Sequence, residues 1–315
     1  MPMKNGAQNI LRLNRKNALI SIIVLTYRNQ SFLNETLKSI LEQDYPRIEL
    51  IISDDASGCF NREKVEKFIN IYKKDNIEFF TVRINEYNLG TVKHANLIIN
   101  YANGDYIKFV SCGDKFFDSN SLTKLYEFAF ENDSMVTSSA VLFCSEDFKK
   151  SYYKHPNAYR TNILKSSSSL ELFRSLCIFN MIPAISILYR EDFFELYKFD
   201  ERYKLLEDWP MWLRISRDGI KICHLDTITM YYAEGGVSSV NLDAFSSKSL
   251  HDDLIRCYKL EIFPYIHDLS FFKKQYIKYK FESLNRKNIK FYIKNFIFLA
   301  FDEIKHFVKY QIKRR

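Results

Sequence analysis

Glycine and proline are scarce, at 8 and 6 of 315 residues, which excludes a collagen-like repeat and long low-complexity linkers. The six cysteines (Cys59, Cys112, Cys144, Cys177, Cys223, Cys257) are dispersed without a C-x-x-C pair, and the histidines do not cluster. That spacing argues against a structural zinc site and fits free thiols in a reducing cytoplasm. Long apolar runs are missing too. MPMKNGAQNILRLNRKN at the start holds no apolar stretch of signal-peptide length. The run Phe296 to Phe301 falls far short of the roughly 20 residues that cross a bilayer. The expectation is a cytoplasmic chain with no membrane-spanning segment.

Hydrophobic residues make up 47% and charged residues 27%, as in a globular protein with a substantial core. The length allows one large domain, or a catalytic domain with a smaller appendage. Aromatics are abundant, with 27 Phe and 21 Tyr. A genomic codon bias accounts for them, or some of the rings face a sugar or a membrane interface. The net charge of +8 is concentrated late: residues 248–315 carry 16 Lys/Arg against 7 Asp/Glu. No nucleic-acid motif accompanies this basic region, so no nucleic-acid partner is expected.

The first half alternates β-branched apolar runs with helix-period segments. Ile20 to Leu25 (ISIIVL) and Ile48 to Ile52 (IELII) read as buried strands of a parallel sheet. Between them, Ser31 to Gln43 puts Leu33, Leu37, Ile40 and Leu41 on one helical face, with Ser31 as the expected cap. A helix over Arg62 to Lys74, a strand over Ile77 to Ile84, a helix over Thr91 to Ala102 and a strand over Asp105 to Val110 follow. This βαβαβαβ order predicts an α/β fold with right-handed crossovers. A helix over Leu122 to Glu131 and a strand over Met135 to Phe143 continue it. SEDFKKSYYKHPNAYRTNILKSSSS (145–169) reads as a loop over the site. Ile185 to Tyr189 reads as a strand, and Pro210 to Arg217 as a short helix closed by Gly219. Three parts are expected: an extension over 1–18, a catalytic domain over 19–244, and a helical, basic extension over 245–315.

Ligands of such sheets lie beyond the carboxyl ends of the strands. The polar segments there are Thr26-Tyr27-Arg28, Ser53-Asp54-Asp55, Asn85 to Gly90 and Ser111 to Asp114. No G-x-G-x-x-G follows the first strand, which argues against a dinucleotide-binding unit.

The ordered pair ISIIVLTYRNQSFLNETLKSILEQDYPRIELIISDDAS and GDYIKFVSCGD, with LLEDWPMWLR further on, resembles the family 2 inverting glycosyltransferases of bacterial surface-polysaccharide type. The resemblance covers roughly residues 19–240 and implies the GT-A fold, a mostly parallel central sheet flanked by helices. It implies transfer of a sugar from a nucleotide-diphosphate sugar to a hydroxyl of a glycan or lipid-linked acceptor. UDP is the default nucleotide, and dTDP offers the same imide edge.

By this resemblance, Asp55 reads the base ring, with Thr26 and Tyr27 lining the same pocket. A carboxylate can accept from the imide N–H of uracil or thymine; a plain turn at Asp54-Asp55-Ala-Ser-Gly is the other reading. Lys93 fits a phosphate or base contact, or a solvated helix lysine. Asp114 stands at the D-x-D position, where the family binds Mg²⁺ or Mn²⁺ bridging the donor's phosphates. Here serine and glycine replace the other acids (Ser111-Cys112-Gly113-Asp114), so the divalent-metal expectation rests on Asp114 alone.

Glu207-Asp208 matches the family's Glu-Asp element, in which the aspartate is the general base for the acceptor hydroxyl; a helix cap at Asp208 is compatible with that role. Trp209 and Trp212 are candidates for stacking on a sugar or for the core. Tyr231 to Ser239 resembles the family's strand and Gly-Gly-Val-Ser loop near the diphosphate. On an ideal helix from Asn288, Lys290, Lys294, Lys305 and Lys309 share one side, and Lys313 to Arg315 follow. That suits peripheral attachment to an anionic inner membrane face, or packing on protein; a homo-oligomer stays open. A nucleotidyltransferase that makes nucleotide sugars, and a non-catalytic sugar- or lipid-binding relative, are the competing readings.

Overall fold

The computed structural model describes residues 17–28, 30–145, 147–233, 244–285, 289–300 and 302. The expected extension over 1–18 lies almost wholly outside them, as do Glu234 to Ser239 and the basic residues beyond 302.

β1 (Ile20–Thr26) is an unbroken apolar run because both of its faces are covered. Ile20, Ile22 and Val24 point into one core layer and Ile23 into the other, following the strand's two-residue period. β2 (Ile48–Asp54), β3 (Ile77–Ile84) and β4 (Tyr106–Ser111) join β1 in parallel, in the order β3-β2-β1-β4. Their crossovers are α1 (Leu33–Leu41), α2 (Arg62–Tyr72) and α3 (Thr91–Ile99).

After β4 the sheet turns mixed. β5 (Lys115–Phe116), α4 (Ser121–Glu131), β6 (Val136–Cys144), β7 (Ser151–His155), α5 (Ala158–Ser166), α6 (Ser169–Leu176), β8 (Leu188–Arg190) and α7 (Phe193–Leu196) come next. α8 (Asp208–Arg217) and the twelve-residue β9 (Ile222–Ala233) complete it. The full order is β3-β2-β1-β4-β8-β6-β9-β5, with β7 on β6. β8 is antiparallel to both neighbours, while β6 and β9 are parallel.

Four expectations change. Ser31 does not cap α1: it lies one residue before the cap position, which Phe32 fills without a side-chain acceptor, and Leu33 N–H closes the preceding turn on the Gln30 carbonyl. The 145–169 stretch is not a loop. β7 pairs with β6, with Tyr153 stacked on Phe143 at 4.8 Å, and Asn157 Oδ1 caps α5 by accepting from Arg160 N–H. Residues Ala184–Ser186 form a 3₁₀ turn, so the strand expected there starts only at Leu188. The helix ending near Gly219 begins two residues before Pro210, and Gly219 closes it at φ 91°.

The later helices are α9 (Ala244–Cys257), α10 (Phe271–Ser283) and α11 (Ile289–Lys294). Cys257, Tyr258, Ile262, Ile266, Leu269 and Ile277 share a core cluster with Phe173, Trp209 and Trp212. α9 and α10 are thus docked on the sheet's own core, while Phe291 of α11 packs on Tyr276 and Tyr279 of α10 in a separate cluster.

Candidate active site

The carboxyl ends of β1, β2 and β3 are laced together. Asp55 N–H donates to the Thr26 carbonyl (2.9 Å), and Arg28, held at φ 54°, donates its N–H to Ser57 Oγ (2.8 Å). Asp54 accepts from both the N–H and the hydroxyl of Ser57. Thr26 is buried, and Tyr27 is 37% exposed with the Arg28 guanidinium 5.0 Å from its ring.

Asp55 is buried and already engaged. Its Oδ1 accepts from Asn85 Nδ2 (2.8 Å) and Leu89 N–H (2.9 Å), and its Oδ2 from Gly90 N–H (2.9 Å). The carboxylate is therefore the hub on which the Asn85–Gly90 turn is wound. Gly90 has φ 81°, and a Cβ there would lie 2.9 Å from Lys204 Cγ, so the turn needs glycine for conformation and space alike. Lys93 stands exposed one turn into α3. His94, which carried no sequence signal, is buried behind the pocket with Nε2 2.7 Å from Ser53 Oγ. Burial pushes its pKa down, against the pull of Asp55 and Asp54.

At the end of β4, Asp114 N–H closes a turn onto the Ser111 carbonyl (3.0 Å), and the Thr36 hydroxyl donates to the Asp114 carbonyl (2.8 Å). The Asp114 side chain is buried, and its Oδ1 accepts from Ala233 N–H (3.2 Å). Burial raises its pKa to about 7, against the Ala233 N–H and the charge of Lys108. Lys108 is wholly buried in β4, with its Nζ on the Ile185 carbonyl, and burial lowers its pKa to about 7. Lys115 does not approach Asp114 in any described contact; its Nζ lies 4.1 Å from the Phe148 ring centroid and 4.9 Å from that of Tyr231.

Asp208 is the first residue of α8 and half-buried. Asn180 Nδ2 donates to its Oδ2 (2.8 Å) and Trp209 N–H to its Oδ1 (2.6 Å). Burial raises the Asp208 pKa while these two donors pull it back. Glu207 beside it is pushed to about 8, by burial first and then by Asp208. Two neighbouring carboxyls in a dry setting cannot both ionise freely. Trp209 and Trp212 are both buried, their indole N–H groups donating to the carbonyls of Leu176 and Ile182. Both therefore belong to the core, and the sugar-stacking reading falls away.

The structure thus brings Thr26, Tyr27 and Asp55 together at the carboxyl ends of β1 and β2, with Lys93 exposed on the helix that follows the Asn85–Gly90 turn. Among the described residues no hydrogen bond joins Asp208 to Asp55 or Asp114. The link runs through Lys204, whose carbonyl accepts from Val92 N–H (3.2 Å) just past Gly90.

A parallel half-sheet with a carboxylate-wound turn at its ends, and a second pair of carboxyls on a later helix start, is the layout of a nucleotide-sugar transferase of the GT-A fold. The model of the family described as Glycosyl transferase family 2 matches residues 21–195, and the chain belongs to that family. It is a glycosyltransferase.

An uncharacterized glycosyltransferase of Haemophilus influenzae is 21% identical over 227 residues, covering 70% of this chain and 67% of that one. A UDP-Glc:alpha-D-GlcNAc-diphosphoundecaprenol beta-1,3-glucosyltransferase of Escherichia coli is 25% identical, covering 68% of this chain and 76% of that one. Of three other curated glycosyltransferases the chain spans only 32% to 49%. Among solved structures, S. aureus TarS 1-349 in complex with UDP-GlcNAc superposes with a TM-score of 0.53 at 16% identity, covering 84% of this chain and 81% of that one. The Pyrobaculum calidifontis mannosyltransferase in complex with GDP-Man and Mn²⁺ gives 0.56 at 17% identity, covering 78% and 64%.

Both of those structures hold a nucleotide sugar, and the mannosyltransferase also a divalent ion. The residues of this chain do not fit an ion held by the protein itself. Ser111 and Gly113 offer no carboxylate, Asp114 faces Ala233 N–H, and no group of three His, Cys, Asp or Glu among the described residues is placed to bind a metal.

Proposed function

We propose that the chain transfers a sugar, with inversion, from a UDP-sugar to a hydroxyl of a glycan or lipid-linked acceptor in polysaccharide synthesis. Asp208 acts as the base. The acceptor hydroxyl gives its proton to the Asp208 carboxylate while its oxygen bonds to the anomeric carbon. The bond from that carbon to the diphosphate oxygen breaks on the opposite face, and the nucleotide leaves as the diphosphate anion. The observation that carries this reading is the Asp208 carboxylate itself, aimed by Asn180 and raised in pKa by burial, toward the range that suits a general base. Thr26, Tyr27 and Asp55 form the base pocket, with Lys93 near the phosphates. The catalytic unit is taken as 19–244, with 245–315 as an extension whose helices α9 and α10 pack on it.

The extension supports a membrane-bound acceptor. Ile293, Phe296 and Ile297 recur at helical spacing and are each exposed by about 70%, and Phe271 and Phe272 at the start of α10 are exposed too. The Phe272 and Phe298 rings lie 5.2 Å apart, which joins the two segments into one surface. Residues 271–300 carry eight Lys/Arg and one acidic residue. Exposed aromatics flanked by lysines suit an anionic lipid face on the cytoplasmic side, so peripheral attachment there is part of the proposal. No helix among the described residues is long and apolar enough to cross a membrane.

Nucleotide release from a panel of UDP-sugars, with and without acceptor glycans, tests the reaction. Release that requires acceptor is the expected result. Synthesis of a nucleotide sugar from a nucleoside triphosphate would overturn it, and so would binding without any turnover.

A further inference from the structure

The segment from Phe199 to Asp208 is strapped between helices from opposite parts of the chain. On one side, Asn96 of α3 donates from Nδ2 to the Phe199 carbonyl (2.8 Å) and accepts from its N–H (3.1 Å). The Val92–Lys204 bond continues this side down to the Gly90 turn. On the other side stands Asp253 of α9, a carboxylate only 1% exposed. Its Oδ2 accepts from three successive backbone N–H groups: Lys204 (2.8 Å), Leu205 (2.7 Å) and Leu206 (3.2 Å). Its Oδ1 meets Arg256 Nη1 at 3.0 Å, and the same guanidinium donates to the Arg202 carbonyl. The chain then runs directly into Glu207 and Asp208.

We propose that Asp253 is a positioning residue for sugar transfer: by gathering the N–H groups of 204–206 it sets Asp208 against the Asp55–Gly90 turn. This rests on the reading of Asp208 as base. The physical case has three parts. A buried carboxylate survives only when donors compensate it, and here three convergent N–H groups and a guanidinium do so. Bonds to an ionised acceptor are roughly twice as strong as neutral ones, so the strap is held more firmly than an ordinary loop. The held residues lie within four positions of Asp208, and a displacement of about 1 Å at a reacting group costs on the order of a hundredfold in rate. Asp253 touches neither Asp55 nor Asp208 in any described contact; its influence passes through the backbone, with a smaller part through its charge, which helps raise the pKa of Glu207. A purely structural carboxylate would instead lower everything together: stability, nucleotide affinity and rate.

The test compares Asp253→Asn and Asp253→Ala with the wild type in steady-state kinetics, calorimetric UDP titration and amide exchange. The expected result is a fall in kcat of about tenfold for Asn and about a hundredfold for Ala, with UDP affinity within about threefold of wild type. Amide exchange should speed up over 204–208 and stay unchanged over 85–90. Three outcomes overturn the proposal: kcat within about threefold of wild type in both variants, unchanged exchange at 204–208, or parallel loss of UDP affinity and kcat. If Asp253→Ala does not fold, Asp253→Asn decides by the same criteria, since its carbonyl still accepts from the strap. A wild type that transfers no sugar refutes the functional reading instead, and the exchange measurement still shows whether Asp253 holds 204–206.

Discussion

Asp208 and Glu207 share one half-buried place, and burial makes both carboxyls reluctant to ionise. Asp208 receives donors from Asn180 and Trp209, which favours it as the member that carries the charge. Asp208→Asn keeps the shape and removes the base, so transfer should fall by about a hundred- to ten-thousandfold while calorimetric UDP affinity stays unchanged. Lys108 is the reverse case, a base whose pKa burial lowers to about 7 from 10.5. Between those values the folded chain holds fewer protons than the unfolded one, so this residue's contribution to stability rises with pH. Denaturant unfolding should therefore show the stability of wild type relative to Lys108→Met increasing from pH 7 toward pH 10; a constant difference would contradict the burial argument. Asp114 predicts a third result. With its side chain on Ala233 N–H and no neighbouring acid at Ser111 or Gly113, Mn²⁺ or Mg²⁺ titrated into the protein alone should give no binding heat.

At the scale of elements, the Asn85–Gly90 turn hangs on Asp55. Asp55→Ala leaves the buried Gly90 N–H without its acceptor, at about 1–3 kcal/mol, and the half-buried Leu89 N–H as well. The turn should open, and the UDP dissociation constant should rise at least about tenfold, with a smaller change in kcat. β1 and β2 were legible in the sequence because strands covered on both faces read as unbroken apolar runs between helix-period segments. β7 and α5 were hidden for the opposite reason. β7 is mainly half-buried and α5 mostly exposed, and they are held by pairing to β6, by ring stacking and by the Asn157 cap. His94 and Asp253 belong to no motif. Their partners are a serine on another strand and the backbone of a distant strap, which only the folded chain assembles. The sequence singled out Asp55 for the base pocket, but its place as the hub of a turn could not be read there, since that turn lies about thirty residues further along.

For the molecule as a whole, basic charge and exposed aromatic rings coincide on the helices after α9. Flotation should recover more protein with anionic than with neutral vesicles, and truncation after Lys287 should reduce that recovery. Equal recovery from both vesicles would remove the membrane from the proposal. The strap at 204–206 carries a consequence for the time course of synthesis. A ribosome delivers β1 to β4 first, then Asp208, and Asp253 only later. A nascent chain at the intermediate stage already has the residues that wind the nucleotide turn, but not the carboxylate that gathers the strap. If Asp253 sets the base, the growing chain can hold a nucleotide sugar before it can consume one at full rate, and the arrival of α9 speeds turnover by about a hundredfold.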